Sequence, residues 1–331
     1  MTDVNPFGGH GTLVSGERFV GRNDERRLLW RRLLQARSSA ALIGLGGMGK
    51  SSLASKVLAE AAAEGTLTGR VTVSTARCGA DVLAAILAMC QPAAAVRTAF
   101  TSAGRAADTP AIPIHDLYRM IREALLQLND YGGHLVVFLD EFDSIREFPD
   151  ARDFLNLLRE LVYYPDQVPI AVLAVARRPI DRIEIAAANI SSFAGVCETM
   201  YLRPMGYEQI EAMAARSPDL PGGAVDAAWK YAAGHPFLSE VAFRCMLEFR
   251  TTDIGRVIQP ELSFYYKRLE RFMRGEELWE PLLKLASGRG IEVHVEQASL
   301  VRSYGLIDEN GEVWSPEFAA YLRPAADAPP R

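Results

Sequence analysis

Lysine, cysteine and long apolar runs are scarce in this chain, and each shortage excludes something. Five lysines stand among 36 basic residues, and 41 acidic residues outnumber the bases, for a net charge of −5. With a pI near 5.7 there is no global attraction to nucleic acid. The cysteines, Cys78, Cys90, Cys197 and Cys245, are scattered, with no C-x-x-C spacing and no histidine pairing nearby, which speaks against a disulfide framework or a zinc site. No apolar run approaches the ~20 residues of a membrane span, and Met1 to Asn5 opens with no signal-peptide pattern, so a cytoplasmic protein is expected. What remains is ordinary for a soluble globular chain, 49% apolar and 23% charged over 331 residues, enough for about two or three domains. The preference for arginine and alanine over lysine suggests a GC-rich bacterial genome.

Against that background one stretch stands out: Ala40-Ala41-Leu42-Ile43-Gly44-Leu45-Gly46-Gly47-Met48-Gly49-Lys50-Ser51-Ser52-Leu53. An apolar run leads into a glycine-rich turn, and Lys-Ser then opens a helical pattern. Gly44, Gly49, Lys50 and Ser51 satisfy the phosphate-loop spacing G-x-x-x-x-G-K-[ST] in the strand-before, helix-after context that the motif requires. A triphosphate needs several backbone N–H groups aimed at it from a curve too tight for side chains, and glycines at 44, 46, 47 and 49 permit that approach. Met48 lies in the same loop and Ser52 just after it. Lys50 brings a positive charge to the β and γ phosphates, and the Ser51 hydroxyl is the expected Mg²⁺ ligand.

A second signature follows about ninety residues later, in His134-Leu135-Val136-Val137-Phe138-Leu139-Asp140-Glu141. A parallel strand buried on both faces reads as a continuous apolar run, and its C-terminal end is where a doubly wound sheet binds ligand. Asp140 is therefore placed to join Ser51 around Mg²⁺, and Glu141 to polarise an attacking water. Pro169 to Ala176 reads as another buried strand ending in Arg177-Arg178. Arg177 is our choice for a sensor of the γ phosphate, with a solvated charge pair as the plain alternative.

The remaining pattern orders these pieces. Residues Asn5 to Ser15 read as an extended surface segment. Phe19-Val20-Gly21-Arg22 precedes a helix reaching about Ala36, and a loop there can fold over the nucleotide base. Strands are expected at Arg70 to Ser74 and Glu198 to Leu202, helices at Ala80 to Cys90, Ile114 to Asn129 and Asp150 to Tyr163, and a mobile loop at Thr101 to Pro113. From Gly206 the pattern is helical, with Gly234 ending one helix and Pro236 starting the next, a turn at which His235 or Pro236 can touch nucleotide. Helices at Glu276 to Ala286 and Val295 to Tyr304, then Asn310-Gly311 between short apolar stretches, suggest a type I′ hairpin inside a winged helix closed by a helix from Pro316. Over Leu262 to Pro324 eight basic residues face ten acidic ones, a formal charge of −2, which favours protein over nucleic acid as the contact. The expected layout is an extended segment at 1–16, a doubly wound parallel-sheet α/β ATPase domain at 17–204, a helical lid at 205–258, a winged helix at 259–325 and a disordered tail at 326–331.

Phe19-Val20-Gly21-Arg22, Gly44 to Ser52, Leu139-Asp140-Glu141, Arg177, Gly234-His235-Pro236 and the closing winged helix, in that order, resemble the STAND class of signal-transduction ATPases within the wider AAA+ group, the bacterial relatives of NLR immune receptors. The resemblance spans nearly the whole chain. It implies a switch in which ADP holds the parts closed and ATP exchange opens them for oligomerisation. Phe19, Val20, Arg22, the loop residues, His235 and Pro236 would hold ATP or ADP, Ser51 and Asp140 would hold Mg²⁺, and Lys50, Glu141 and Arg177 would serve slow hydrolysis. Where many members carry Met-His-Asp after the wing, this chain has Trp314-Ser315-Pro316-Glu317, and it shows neither a fused effector nor a repeat sensor. Separately encoded effector or sensor partners, in homo- or hetero-oligomers that depend on nucleotide, are the implied output, in a bacterial antiviral defence or conflict system. The alternatives are an AAA+ protein acting on DNA, of the origin-recognition or transposition type, and a nucleotide-binding scaffold without turnover.

Overall fold

A computed structural model describes residues 5–7, 13–14, 16–90, 112–189, 193–308 and 310–326. The expected mobile loop falls outside the described residues except at its last two positions, as do most of the N-terminal segment and residues 327–331 of the tail. The chain divides into two compact bodies. One comprises 23–43 and 50–200; the other comprises 1–22, 44–49 and 201–331.

The first body is built on a five-stranded sheet: β1 (Ser39–Ile43), β2 (Leu67–Thr72), β3 (Leu135–Asp140), β4 (Ile170–Ala176) and β5 (Cys197–Tyr201), in the order β2-β3-β4-β1-β5. The three central strands are the continuous apolar runs of the sequence, and every one of their residues is buried. The pairs β2/β3, β3/β4 and β1/β4 are parallel, as strands covered on both faces should be. After β1 the chain passes through α2 (Lys50–Ala63) to the outermost strand β2, whereas after β4 it passes through α6 (Ile180–Ala188) to β5 on the other side of β1. This reversal makes the carboxyl end of β1 a topological switch point, and the expected doubly wound ATPase architecture is present. The other helices of this body are α1 (Asn23–Trp30), α3 (Gly79–Cys90), α4 (Ile114–Asp130) and α5 (Ala151–Tyr163).

Strand β2 starts and stops three and two residues earlier than the sequence pattern suggested. Its β-branched tail, Val73 to Thr75, curls instead into a single turn, because the Thr75 hydroxyl donates to the Thr72 carbonyl at 2.7 Å and so offers the backbone an alternative to the ladder. The helix expected to reach Ala36 gives way after Trp30 to a widened turn over Arg31–Gln35.

The second body is helical: α7 (Tyr207–Ala214), α8 (Ala224–Ala232), α9 (Pro236–Phe249), α10 (Gly255–Gly275), α11 (Trp279–Ala286), α12 (Val295–Ser303) and α13 (Pro316–Ala326). Helix α8 ends on two consecutive left-handed residues, Ala233 at φ 42° and Gly234 at φ 83°. Glycine is required at 234, since a Cβ there would lie 2.0 Å from the Met205 carbonyl oxygen. Helix α10 runs without a break through 258 and 259, where a boundary between lid and winged helix was expected. It buries Ile258, Leu262, Tyr265, Tyr266, Leu269 and Met273 at helical spacing.

Two expectations need correction here. The Asn310-Gly311 connection is not a two-residue type I′ turn, because the Asp308 N–H donates to the Glu312 carbonyl at 3.0 Å and the loop closes over three residues. The Asp308 carboxylate accepts N–H bonds from Asn310 and Glu312, which widens the loop beside an antiparallel bridge between Ile307 and Val313. Nor do residues 5–7 of the N-terminal segment simply run over the surface. Asn5 Oδ1 accepts the Phe7 N–H, and the buried Phe7 ring packs against Phe243 and beneath the Arg216 guanidinium. Among the described residues, no helix is long and apolar enough to cross a membrane.

Candidate active site

In the sheet body, the site begins with Lys50, the first residue of α2. Lys50 is buried, and that burial, together with the nearby Arg177 charge, lowers its pKa from 10.5 to about 8 even though Asp143 and Asp140 pull the other way. The next residue, Ser51, donates its hydroxyl to Asp140 Oδ1 at 3.0 Å. Asp140 ends β3 and is nearly buried; its Oδ1 also accepts the Glu141 N–H at 3.1 Å, while its Oδ2 meets Arg70 Nη2 at 2.6 Å. The sequence-predicted metal pair is thus in direct contact.

Glu141 follows in a left-handed conformation, φ 55° and ψ 43°, which is costly for a residue with a side chain. Its carboxylate is exposed and accepts the Ser74 hydroxyl, from the turn after β2. Asp143 organises the other side: it accepts the backbone N–H groups of Arg177 at 2.7 Å and Arg178 at 3.2 Å, and binds the Arg178 guanidinium at 3.2 Å. Arg178 is therefore turned toward Asp143. Arg177 is exposed and close enough to weigh on Lys50.

In the helical body, Gly47 and Gly49 hold φ values of 80° and 84°, the left-handed backbone that a tight phosphate-binding curve uses. A side chain at Gly44 would meet the Leu202 carbonyl at 2.8 Å, and one at Gly47 would meet His235 and Phe237 at 2.8 and 2.9 Å. Gly46 and Gly49, by contrast, face open space. Leu45 and Met48 are buried, so Met48 anchors the loop.

The Gly46 carbonyl is held by two side chains far along the sequence. His235, the N-cap of α9, accepts the Leu238 N–H on Nδ1 at 3.3 Å. Its proton therefore sits on Nε2, which donates to the Gly46 oxygen at 3.2 Å; this tautomer is assigned from the hydrogen bonds. The Tyr265 hydroxyl of α10 donates to the same oxygen at 3.3 Å. Because a trans peptide is planar, fixing this carbonyl aims the Gly47 N–H in the opposite direction. Arg22, buried at φ 60°, donates from Nη2 to the Met48 carbonyl at 3.3 Å.

Of the residues expected to hold nucleotide, Arg22 and His235 thus grip the loop's own carbonyls, Pro236 is buried at the start of α9, Phe19 and Val20 are half-buried, and Ser52 is half-buried on α2. Sequence reading missed Arg70, Ser74, Asp143 and Tyr265. An Asp at the end of an apolar strand pointed to Asp140, whereas nothing in the spacing marked the partners that hold it.

These groups fit a nucleotide triphosphate with magnesium. Within the sheet body, a buried cation at a helix start and a hydroxyl already on a carboxylate are the donor set that phosphate and a hard cation require. Ser51 and Asp140 would hold the metal, which when bound would neutralise phosphate charge.

A family model described as an AAA ATPase domain matches residues 18–173. No curated protein matches the chain in sequence. Among solved structures, the chain is similar to the Walker-type ATPase PABY2304 of Pyrococcus abyssi, at 15% identity and a TM-score of 0.62 over 96% of this chain and 99% of that one. It is also similar to the Aeropyrum pernix ORC2 protein in its ADPNP-ADP complexes, at 18% identity and a TM-score of 0.58 over 98% and 97% of the two chains. A third similar structure is the Aeropyrum pernix ORC1 protein in complex with DNA, at 17% identity and a TM-score of 0.50 over 93% and 92%. At such identities the likeness is one of fold. The family match over residues 18–173 and the parallel sheet agree on a P-loop ATPase α/β fold for this part of the chain.

Proposed function

We propose that this chain is a STAND-like ATP/ADP switch, slow in hydrolysis, whose bound nucleotide controls assembly with separately encoded partner proteins, in a bacterial defence setting. The observation that carries this reading is the Gly46 carbonyl. It is gripped by His235 at the start of α9 and Tyr265 within α10. A change in the phosphate loop on exchanging ADP for ATP alters those two hydrogen bonds directly, so differential binding energy reaches helices that perform no chemistry. We read 205–258 as the lid and 259–325 as a winged helix that serves as the contact for partners.

In turnover, Lys50 draws the β and γ phosphates, Glu141 accepts a proton from the attacking water, and Arg177 faces the charge that develops on the γ phosphate. The test is particle size, measured by light scattering with ADP and with a non-hydrolysable ATP analogue, alone and with proteins encoded by neighbouring genes. Assembly in the ATP-analogue state alone is expected. Identical size in both nucleotides with every partner tested would overturn the switch.

A second reading, ATP-dependent action on DNA, draws on the fold shared with the Aeropyrum pernix ORC1 protein, whose structure holds DNA. The eight basic and ten acidic residues of Leu262 to Pro324 weigh against it. Nanomolar, salt-dependent binding to duplex DNA would reverse that order.

A further inference from the structure

We propose that Arg70 is the resident counter-cation of the magnesium-binding acid: it holds Asp140 when no metal is bound and must yield the carboxylate when Mg²⁺ arrives with nucleotide. This rests on the nucleotide and magnesium reading of the site. It does not depend on the switch.

The register of the sheet sets up the contact. Arg70 on β2 stands opposite Phe138 on β3, and Thr72 stands opposite Asp140. Residues two apart on a strand share a face, so the Arg70 side chain can run along β3 toward the acid. Its guanidinium carbon lies 5.2 Å from the centre of the Phe138 ring, and Nη2 ends 2.6 Å from Asp140 Oδ2.

The two partners differ in freedom. The Asp140 side chain is 6% exposed and is fixed by its strand, by Ser51 and by the Glu141 N–H, whereas the Arg70 side chain is 40% exposed on the outermost strand. Removing a cation from a buried carboxylate leaves an uncompensated charge, which is expensive. Moving a half-exposed arginine into water costs little once another cation has taken its place. Ser51 lies on Oδ1 and Arg70 on Oδ2, so a divalent cation beside Ser51 would repel the guanidinium across one carboxylate and weaken its hold. Arg70 therefore compensates Asp140 in the metal-free protein and competes with the metal for it.

The experiment measures the affinity of a fluorescent ATP analogue in EDTA and across a Mg²⁺ titration, for the full chain and for Arg70→Gln. Without the guanidinium, affinity in EDTA should fall, because bare Asp140 repels the phosphates, and the Mg²⁺ midpoint should drop. Together these raise the ratio of magnesium to EDTA affinity by about tenfold or more. A ratio within about threefold of the unmutated protein overturns the proposal. A second measurement needs no variant: arginine labelling by phenylglyoxal, read by mass spectrometry. Arg70 should label severalfold faster with Mg²⁺ and ADP than with ADP in EDTA, and equal labelling would also overturn the proposal. If the unmutated chain binds no nucleotide in the same titration, it is the ATP reading itself that fails.

Discussion

The Tyr265 hydroxyl donates to the Gly46 carbonyl at 3.3 Å, across 219 positions of sequence. Tyr265→Phe keeps the ring that packs 4.6 Å from His235, centroid to centroid, and removes one of two donors on that oxygen. A hydrogen bond of this kind contributes about 1 kcal/mol, so ADP affinity should weaken roughly fivefold by calorimetry with the fold unchanged. Unaltered affinity would show that the 46–47 peptide needs no help from Tyr265.

Binding and turnover should separate at two positions. Lys50→Ala removes the buried cation at the start of α2 and should cost binding itself, by tenfold or more on the order of a lost charge-assisted contact. Glu141→Gln keeps the shape of the side chain beside Ser74 and should bind ATP as before while phosphate release falls at least a hundredfold. Equal turnover in the two Glu141 forms would refute its role as base.

Lys50 also predicts a pH dependence. Its pKa of about 8 in the folded protein lies below the ordinary 10.5, so above pH 8 a growing share of the empty site carries a neutral lysine. Phosphate binding favours the charged form, hence nucleotide affinity should decline as pH rises past 8 and binding there should take up protons. Calorimetry at pH 9 in buffers of different ionisation enthalpy would detect the uptake. A binding enthalpy independent of buffer would contradict it.

His134 gives the opposite kind of pH signal, in stability. Burial, and then the Arg37 charge, lower its pKa from 6.5 to about 4. Between these values the unfolded chain binds a proton that the folded chain does not, so the contribution is intact above pH 6.5 and is lost as pH falls toward 4. The loss amounts to about 3 kcal/mol by pH 4. Urea unfolding at pH 7.5 and 4.5 should show a smaller drop for His134→Leu than for the unmutated protein; equal drops would assign the acid sensitivity elsewhere.

Much of the sheet was legible because its signals are local and mutually consistent. Leu135 to Asp140 and Ile170 to Ala176 are apolar runs of strand length, and the glycines of 44–49 sit where a strand must turn into a helix. Helix α10 was harder to see: a boundary was expected after residue 258, yet the apolar spacing from Ile258 to Met273 continues through it, with Pro260 inside the helix. The missed site residues share one property: each holds another protein group. Arg70 reaches Asp140 through strand register, Ser74 reaches Glu141 because β2 ends early, and Tyr265 reaches Gly46 through tertiary packing, none of which leaves a trace in residue spacing. The turn at Asn310-Gly311 was misread because the Asp308 carboxylate, two residues upstream, overrides the dipeptide.

The left-handed backbone at Glu141 bears on how this chain could decay. Glycine occupies that conformation freely, and relief of the strain is worth about 1 kcal/mol. Selection for fold stability alone would therefore favour replacing Glu141, and only the use of its carboxylate opposes the drift. Copies of this gene that kept nucleotide binding but gave up hydrolysis should accumulate glycine or asparagine at position 141 while retaining Lys50, Ser51 and Asp140, so that residue by itself would sort descendants that turn over ATP from those that merely hold it.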